Sequence, residues 1–147
     1  MRDSNEAAMF LAQLIHESGG FKYRKEQSGG AGQDYGTRYC GRGFIQLTWE
    51  DNYRKASQSI FGDDRLVQNP DSVSDDPNMS MRVSVWYWEW AVRSAGGPQQ
   101  NKFGMTTKAI NPMENGPENP TAKRRYNFYQ KAANVLGIRN QASDAWW

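Results

Sequence analysis

The two residue types that most often build metal or redox sites are nearly missing. One cysteine, Cys40, and one histidine, His16, stand in 147 residues. A single thiol excludes an intrachain disulfide, and one Cys with one His excludes a zinc cluster built from those ligands. Long apolar runs are missing too. The longest purely apolar stretch covers residues 7–12, against the roughly 20 residues a spanning helix needs, so no membrane partner is expected. An excess of one charge is also missing, since 18 Lys and Arg face 16 Asp and Glu for a net charge of +2. That balance argues against a nucleic-acid partner, despite a pI near 8.7. Residues 1–6 carry no signal-peptide pattern. This leaves a protein not exported by a cleaved signal, or a domain excised from a longer chain with an added Met. A helical pattern that begins almost at once favours the second.

Phosphate and cofactor motifs are equally scarce. There is no Gly-Lys-Ser/Thr phosphate loop and no spaced-aspartate calcium loop. Gly41-Arg42-Gly43 opens like a dinucleotide fingerprint, but Gln46 stands where the third glycine belongs and no βαβ unit surrounds it. Asn78-Met79-Ser80 fits a glycosylation acceptor, a pattern short enough to occur by chance. A Cys40–His16 nucleophile pair is formally available, although a lone cysteine is usually an inert buried residue. No internal repeat is visible.

What is present is an unusual pairing of properties. The mean hydropathy is −0.89, yet 13% of residues are aromatic. Disordered chains are poor in aromatics, so the combination predicts a folded domain whose surface suits a polar, flat-faced ligand such as a sugar. The length suits one domain over 1–147, able to bury roughly 68–70% of its unfolded surface without disulfides.

The periodicity is mostly helical. Ser4 reads as an N-cap with acid in the first turn, opening a deeply buried helix that Ser18-Gly19-Gly20 stops. Residues 27–36 hold four glycines and read as a surface loop over a site. Residues 39–49 are aromatic and β-branched between tight glycines, which suggests a short strand or extended segment. A helix over 50–61 ends at Gly62. After loops at Asn69-Pro70 and Asp76-Pro77, residues 79–94 form a strong helix, apolar nearly all round and so expected to be central. A short helix follows near 106–110, and a last one over 121–136 stops at Gly137. The fold class is therefore mostly α, with a short extended or β segment near a cleft.

Carboxylates are the remaining candidates for chemistry. Glu17 closes a buried helix just before two glycines, where the negative pole of the helix dipole and burial both oppose ionisation. A raised pKa is what a general acid needs at mild pH. Glu26 lies nine residues on, beside Arg24 and Lys25 in a solvated loop that favours the ionised form. Two carboxylates pushed apart in pKa are the elements of glycoside hydrolysis. From the pairing alone, an ordinary helix-end charge and an ordinary surface residue explain them as well.

The surroundings sharpen the choice. His16-Glu17-Ser18-Gly19-Gly20-Phe21 is followed by Glu26. Tyr39-Cys40-Gly41-Arg42-Gly43-Phe44-Ile45-Gln46-Leu47-Thr48-Trp49 comes next, with Asn52-Tyr53 after it. In this order they resemble glycoside hydrolase family 19, the chitinases and related phage-type endolysins on a lysozyme-like α-helical fold. Asn69-Pro70-Asp71, Trp86-Tyr87-Trp88, the segment from Phe103-Gly104 to Ile110-Asn111, and Arg125-Tyr126-Asn127-Phe128-Tyr129 extend the resemblance over about residues 7–137.

The resemblance implies roles. Glu17 would be the general acid and Glu26 the general base that activates water, with Thr48 helping to hold that water. Gln46, Asn52 and Asn111 would hydrogen-bond the sugar chain or its N-acetyl groups, and Tyr39 would line the cleft. Arg125 would lie behind the carboxylates and bias their ionisation. For Arg125 a structural ion pair, and for Tyr39 and Trp86 and Trp88 plain core packing, are the competing readings. His16 reads as orienting structure rather than shuttling protons. The implied activity is inverting cleavage of β-1,4 bonds in chitin, with the two carboxyls roughly 6.5–9.5 Å apart. No metal or organic cofactor is implied, a monomer is expected, and the expected location is extracellular. A peptidoglycan-cleaving muramidase of endolysin type would use the same residues, but the Leu-Thr-Trp-Glu-Asp-Asn-Tyr run and the loop over 64–77 look more like chitinases. A non-catalytic chitin-binding protein would commonly lack one of the carboxylates. The chain departs from the family in having one Cys where plant-type members carry several disulfides. It also has Ile110-Asn111-Pro112-Met113 where Ile-Asn-Gly-Gly is common.

Overall fold

The computed structural model describes residues 1–147 and is mostly helical. Its elements are α1 (Ser4–Ser18), α2 (Glu50–Phe61), α3 (Arg65–Gln68), α4 (Ser72–Asp75) and α5 (Pro77–Tyr87). A π-helical stretch (Trp88–Arg93), α6 (Phe103–Ile110), a 3₁₀ turn (Pro112–Glu114) and α7 (Pro120–Val135) follow. No helix is long and apolar enough to cross a membrane. The chain gathers into two compact units, one made of Met1–His16 with Trp88–Trp147, the other of Glu17–Tyr87.

In the first unit, α1 begins one residue earlier in its capping than the sequence suggested. Asp3, not Ser4, caps it, its Oδ1 accepting the Glu6 N–H at 2.8 Å. Asp can satisfy an orphan helix N–H as Ser does, and Ser4 is already helical. The apolar residues Ala8, Met9, Phe10, Ala12 and Leu14 are buried. The ring of Phe10 meets Trp88 edge to face at 5.4 Å, and Phe103 stacks on Tyr129 at 5.0 Å. Buried polar groups here are matched. Gln13 donates to the Thr106 and Thr107 hydroxyls and accepts from Arg125 Nη1. Glu6 accepts the Trp88 indole N–H at 2.9 Å. The Arg93 Nε lies 2.9 Å from the same carboxylate but off the N–H line, an ion pair without a hydrogen bond. Gly104 is required because a Cβ there would overlap the Trp146 backbone at 2.2 Å.

The second unit packs around Leu47, Tyr53, Ala56, Leu66, Val73 and Val83. The expected helix over 50–61 forms with those bounds and is closed by Gly62 in the left-handed conformation. Two short helices, α3 and α4, occupy a stretch that reads in sequence as loop. One turn of helix is too short to show a period. The expected extended segment appears as two isolated antiparallel bridges, Lys25 with Arg42 and Arg42 with Leu47, rather than as a strand. The helix expected over 79–94 is corrected in one respect. It is not buried all round: Ser80, Val83 and Ser84 face inward from α5, and Trp88 and Val92 from the π stretch. Trp90 is 42% exposed and Trp86 is half-buried. Tryptophan tolerates this because its indole carries a polar N–H on an apolar body.

Candidate active site

Glu17 is the penultimate residue of α1 and is half-buried. The chain turns sharply after it, with Gly19 at φ +61, Gly20 at φ +76 and Phe21 at φ +66. A Cβ on Gly19 would come within 2.9 Å of the Tyr23 ring, so glycine is required there for both space and conformation. The Ser18 hydroxyl accepts the Phe21 N–H at 2.7 Å, and the Ser18 carbonyl accepts the Tyr23 N–H at 2.8 Å. These contacts fix the end of the helix that carries Glu17. Within the same unit, Tyr87 has its phenol pKa raised, by burial first and then by the charge of Glu17.

Glu26 sits on the bridged segment. Its N–H donates to the Gly41 carbonyl at 2.7 Å. Its side chain accepts the Gly41 N–H at 3.1 Å and the Tyr35 hydroxyl at 2.8 Å on Oε1, and the Ser28 hydroxyl at 2.5 Å on Oε2. Partial burial acts to raise its pKa. Hydrogen bonds from Ser28, Gly41, Tyr35 and Gly30 outweigh that and hold it below the usual carboxylate range. The direction agrees with the sequence reading, but the cause differs. Lys25 turns away to Asp71 at 3.3 Å, and neutral donors stabilise the anion instead of Arg24 and Lys25. Sequence reasoning missed Tyr35 and Ser28. The only available signal was two hydroxyl side chains in the glycine-rich loop directly after Glu26.

The segment after Gly41 carries the other candidates. A Cβ on Gly41 would lie 2.6 Å from Gln46 Oε1, so any larger residue there would push the Gln46 side chain aside. Gln46 adopts φ +59 and Trp49 φ +77. Two non-glycine residues in left-handed backbone three positions apart mark local strain of about 1–3 kcal/mol each, the kind held at functional sites. Between them, the Thr48 hydroxyl donates to the Gln46 carbonyl at 2.8 Å. The Gln46 amide donates to the Gly43 carbonyl at 3.0 Å, and the Asn52 amide to the Thr48 carbonyl at 2.9 Å. Tyr39 is more tied into packing than the sequence implied. Its hydroxyl donates to the Val67 carbonyl at 3.3 Å and its ring meets Tyr53 edge to face at 5.4 Å. Beneath this segment lies Arg42, only 3% exposed, bonded to Asp71 Oδ1, the Arg38 carbonyl and the Tyr53 hydroxyl.

Glu17, Glu26, Tyr39, Gln46, Thr48 and Asn52 thus all belong to the second unit, while Asn111 and Arg125 belong to the first. Asn111 caps the 3₁₀ turn, its Oδ1 accepting the Met113 N–H at 3.2 Å. Arg125 is fully buried and forms an ion pair with Glu114. His16 Nε2 lies 3.5 Å from the same Glu114. Burial first, then the positive charge of Arg125, pushes the His16 pKa down to about 4. The imidazole is therefore neutral at mild pH, in keeping with an orienting role.

A family model described as glycoside hydrolase family 19, chitinase class I, matches residues 17–98, more than half of the chain. The chain belongs to glycoside hydrolase family 19. An acidic endochitinase SP2 of Beta vulgaris is 35% identical over 92% of this chain and 51% of that protein. A basic endochitinase CHB4 of Brassica napus is likewise 35% identical, over 90% of this chain and 52% of that protein. The chain spans about half the length of these plant relatives. Among solved structures, chitinase C from Streptomyces griseus superposes with a TM-score of 0.82 at 30% identity, covering 98% of this chain and 64% of that one. A second bacterial family 19 chitinase gives 0.83 at 30% identity, covering 98% and 79%. The fold expected for this family is therefore present, and the family motifs lie mainly in the second unit.

Proposed function

We propose that this family 19 chain is a single catalytic domain that cleaves β-1,4 bonds of chitin, within the polymer and with inversion at the anomeric carbon. Glu17 is the general acid and protonates the glycosidic oxygen. Glu26 is the general base. The observation that carries the reading is the cradle of donors around Glu26, which keeps its carboxylate ionised. Thr48 gives its own proton to the Gln46 carbonyl, so its oxygen is left to accept. A water with one hydrogen on Glu26 and the other on Thr48 has its lone pair free for the anomeric carbon. As that oxygen bonds to carbon, its proton passes to Glu26, the glycosidic bond breaks, and the leaving oxygen takes the proton of Glu17.

The amides fit a substrate rich in N–H and O–H donors. Gln46 and Asn52 each commit their NH₂ group to a backbone carbonyl, and each presents its carbonyl oxygen as an acceptor. N-acetylglucosamine offers both its amide N–H and its hydroxyls to such acceptors. Tyr39 is assigned to the same sugar-binding set. The relatives that match are named as endochitinases, which favours chitin over peptidoglycan and an extracellular place of action.

Proton NMR of fresh hydrolysate from chitin oligomers of five or six units tests the reading. The first-formed product should be the α-anomer, released as di- or trisaccharides. Initial β-anomer would mean retention and remove Glu26 as base. Rapid lysis of bacterial walls with intact chitin oligomers would make peptidoglycan the substrate.

A further inference from the structure

Glu26 meets more donors than an ordinary surface carboxylate, and the two hydroxyls among them are anchored differently. Ser28 is exposed on the glycine-rich loop. Tyr35 is half-buried, and its ring meets Trp49 edge to face at 5.4 Å and 77°. Trp49 is itself fixed. It holds φ +77 immediately before α2, its N–H donates to the Tyr39 carbonyl at 3.0 Å, and its carbonyl accepts the Asn52 and Tyr53 N–H groups at 3.1 Å. A continuous set of contacts therefore runs from the start of α2 through Trp49 and Tyr35 to Glu26 Oε1.

We infer that Tyr35 is a positioning residue for the reaction: held in place by Trp49, it pins Oε1 of Glu26 so that Oε2 is the oxygen that takes the proton from water. The inference rests on Glu26 acting as the base. The Tyr35 hydroxyl and the Gly41 N–H fill both acceptor directions of Oε1, and the Gly41 donor belongs to the bridged backbone and cannot swing away. Oε2 carries the Ser28 hydroxyl, which rotates about a single bond. In the step itself the water O–H bond breaks, its proton moves to Oε2, and its oxygen joins the anomeric carbon. Tyr35 keeps its own proton throughout. Burial first, then its bond to Glu26, pushes its pKa up to about 12. The other titratable group acting on Tyr35 is the buried thiol of Cys40. The nearby cations Lys25 and Arg42 are engaged by Asp71.

Tyr35→Phe keeps the ring against Trp49 and removes only the donor. On chitin hexasaccharide, the acid limb of kcat/KM should move up by about one pH unit, because the carboxylate loses a bond that favours its ionised form. At the plateau kcat should fall about tenfold with KM little changed, as expected for lost orientation rather than lost binding. Carbon-13 titration of the Glu26 carboxyl in Glu17→Gln protein, with and without Tyr35→Phe, should show the same upward shift without any turnover. Trp49→Phe, which loosens Tyr35 without touching Glu26, should move the acid limb in the same direction by a smaller amount. An acid limb and a carboxyl titration both unmoved by Tyr35→Phe would overturn the inference, and an unmoved limb in folded Trp49→Phe would remove Trp49 from it. Glu26→Gln separates this from the parent reading. If that variant is inactive while Tyr35→Phe changes nothing, only the positioning role fails; if it retains turnover, the base assignment itself fails.

Discussion

In the first unit Arg125 is wholly enclosed and answered by the Glu114 carboxylate and the Gln13 carbonyl oxygen. In the second, Glu26 is answered by neutral donors, two hydroxyls and the backbone N–H groups of Gly41 and Gly30, with no cation bonded to it. The difference has a physical consequence. A charge paired with a charge is held by an interaction that collapses if either partner changes, which suits a scaffold. An anion satisfied by neutral donors stays ionised yet can still take a proton, which suits a base. Left-handed non-glycine backbone is denser in the second unit, at Phe21, Gln46 and Trp49, than in the first, at Asn101.

The comparison can be broken most severely at Glu17. Glu17→Gln preserves shape and removes the transferable proton, so turnover should fall about 10²–10⁴-fold with the thermal midpoint nearly unchanged. Steady-state rates and a melting curve on one preparation check both halves. An equally large change on the other side of the comparison needs Glu114→Leu, which leaves Arg125 buried without its carboxylate. Stability measured by urea unfolding should fall by about 3 kcal/mol, the lower end for a broken buried pair, since Glu114 keeps 32% of its side chain in water. Replacing both residues, Glu114→Leu with Arg125→Met, should recover much of that loss.

A smaller effect separates two glycines of the loop over 27–36. Gly30→Ala would set a Cβ 2.4 Å from the Gly36 carbonyl oxygen at φ +82, whereas Gly32→Ala meets nothing within 4 Å and bears only the strain of φ +76. The first should cost about 2–3 kcal/mol and displace Ser28 and Tyr35 from Glu26, lowering kcat. The second should cost about 1 kcal/mol with kcat retained. The smallest effect is pH-dependent and belongs to the first unit. His16 is neutral in the fold down to about pH 4, against an ordinary value of 6.5. Between those values the unfolded chain binds the extra proton, so the His16 contribution is complete above pH 6.5 and declines as pH falls toward 4. His16→Gln should flatten the thermal midpoint across that window, and a slope unchanged by the substitution would assign it to other groups.

Much of the helical frame was legible in the chain because it depends on short-range signals. The helix over 50–61 is stopped by Gly62 in the left-handed conformation, and the last helix begins with Pro at its first position and an Asn cap. The missed elements are those with no room for a period, α3 and α4, and the cap at Asp3, where two adjacent residues were both good candidates. Exposure was misjudged at Trp90, because hydrophobicity alone does not say which side of a helix meets a partner.

The sequence by itself determined the family, through ordered motifs from His16-Glu17 to Arg125-Tyr126, and with it the mostly helical class and the set of candidate polar groups. Folding decided the state of those groups. Glu26 is below the usual carboxylate range because Tyr35, nine residues away, and Gly41, fifteen residues away, bring donors to one oxygen. Lys25, next to Glu26 in the chain, turns to Asp71 instead, and Arg42 joins the same carboxylate while also bonding the Arg38 carbonyl and the buried Tyr53 hydroxyl. Hydrogen bonds act over about 3 Å and depend on direction, and neither quantity is carried by residue order until the chain has closed on itself.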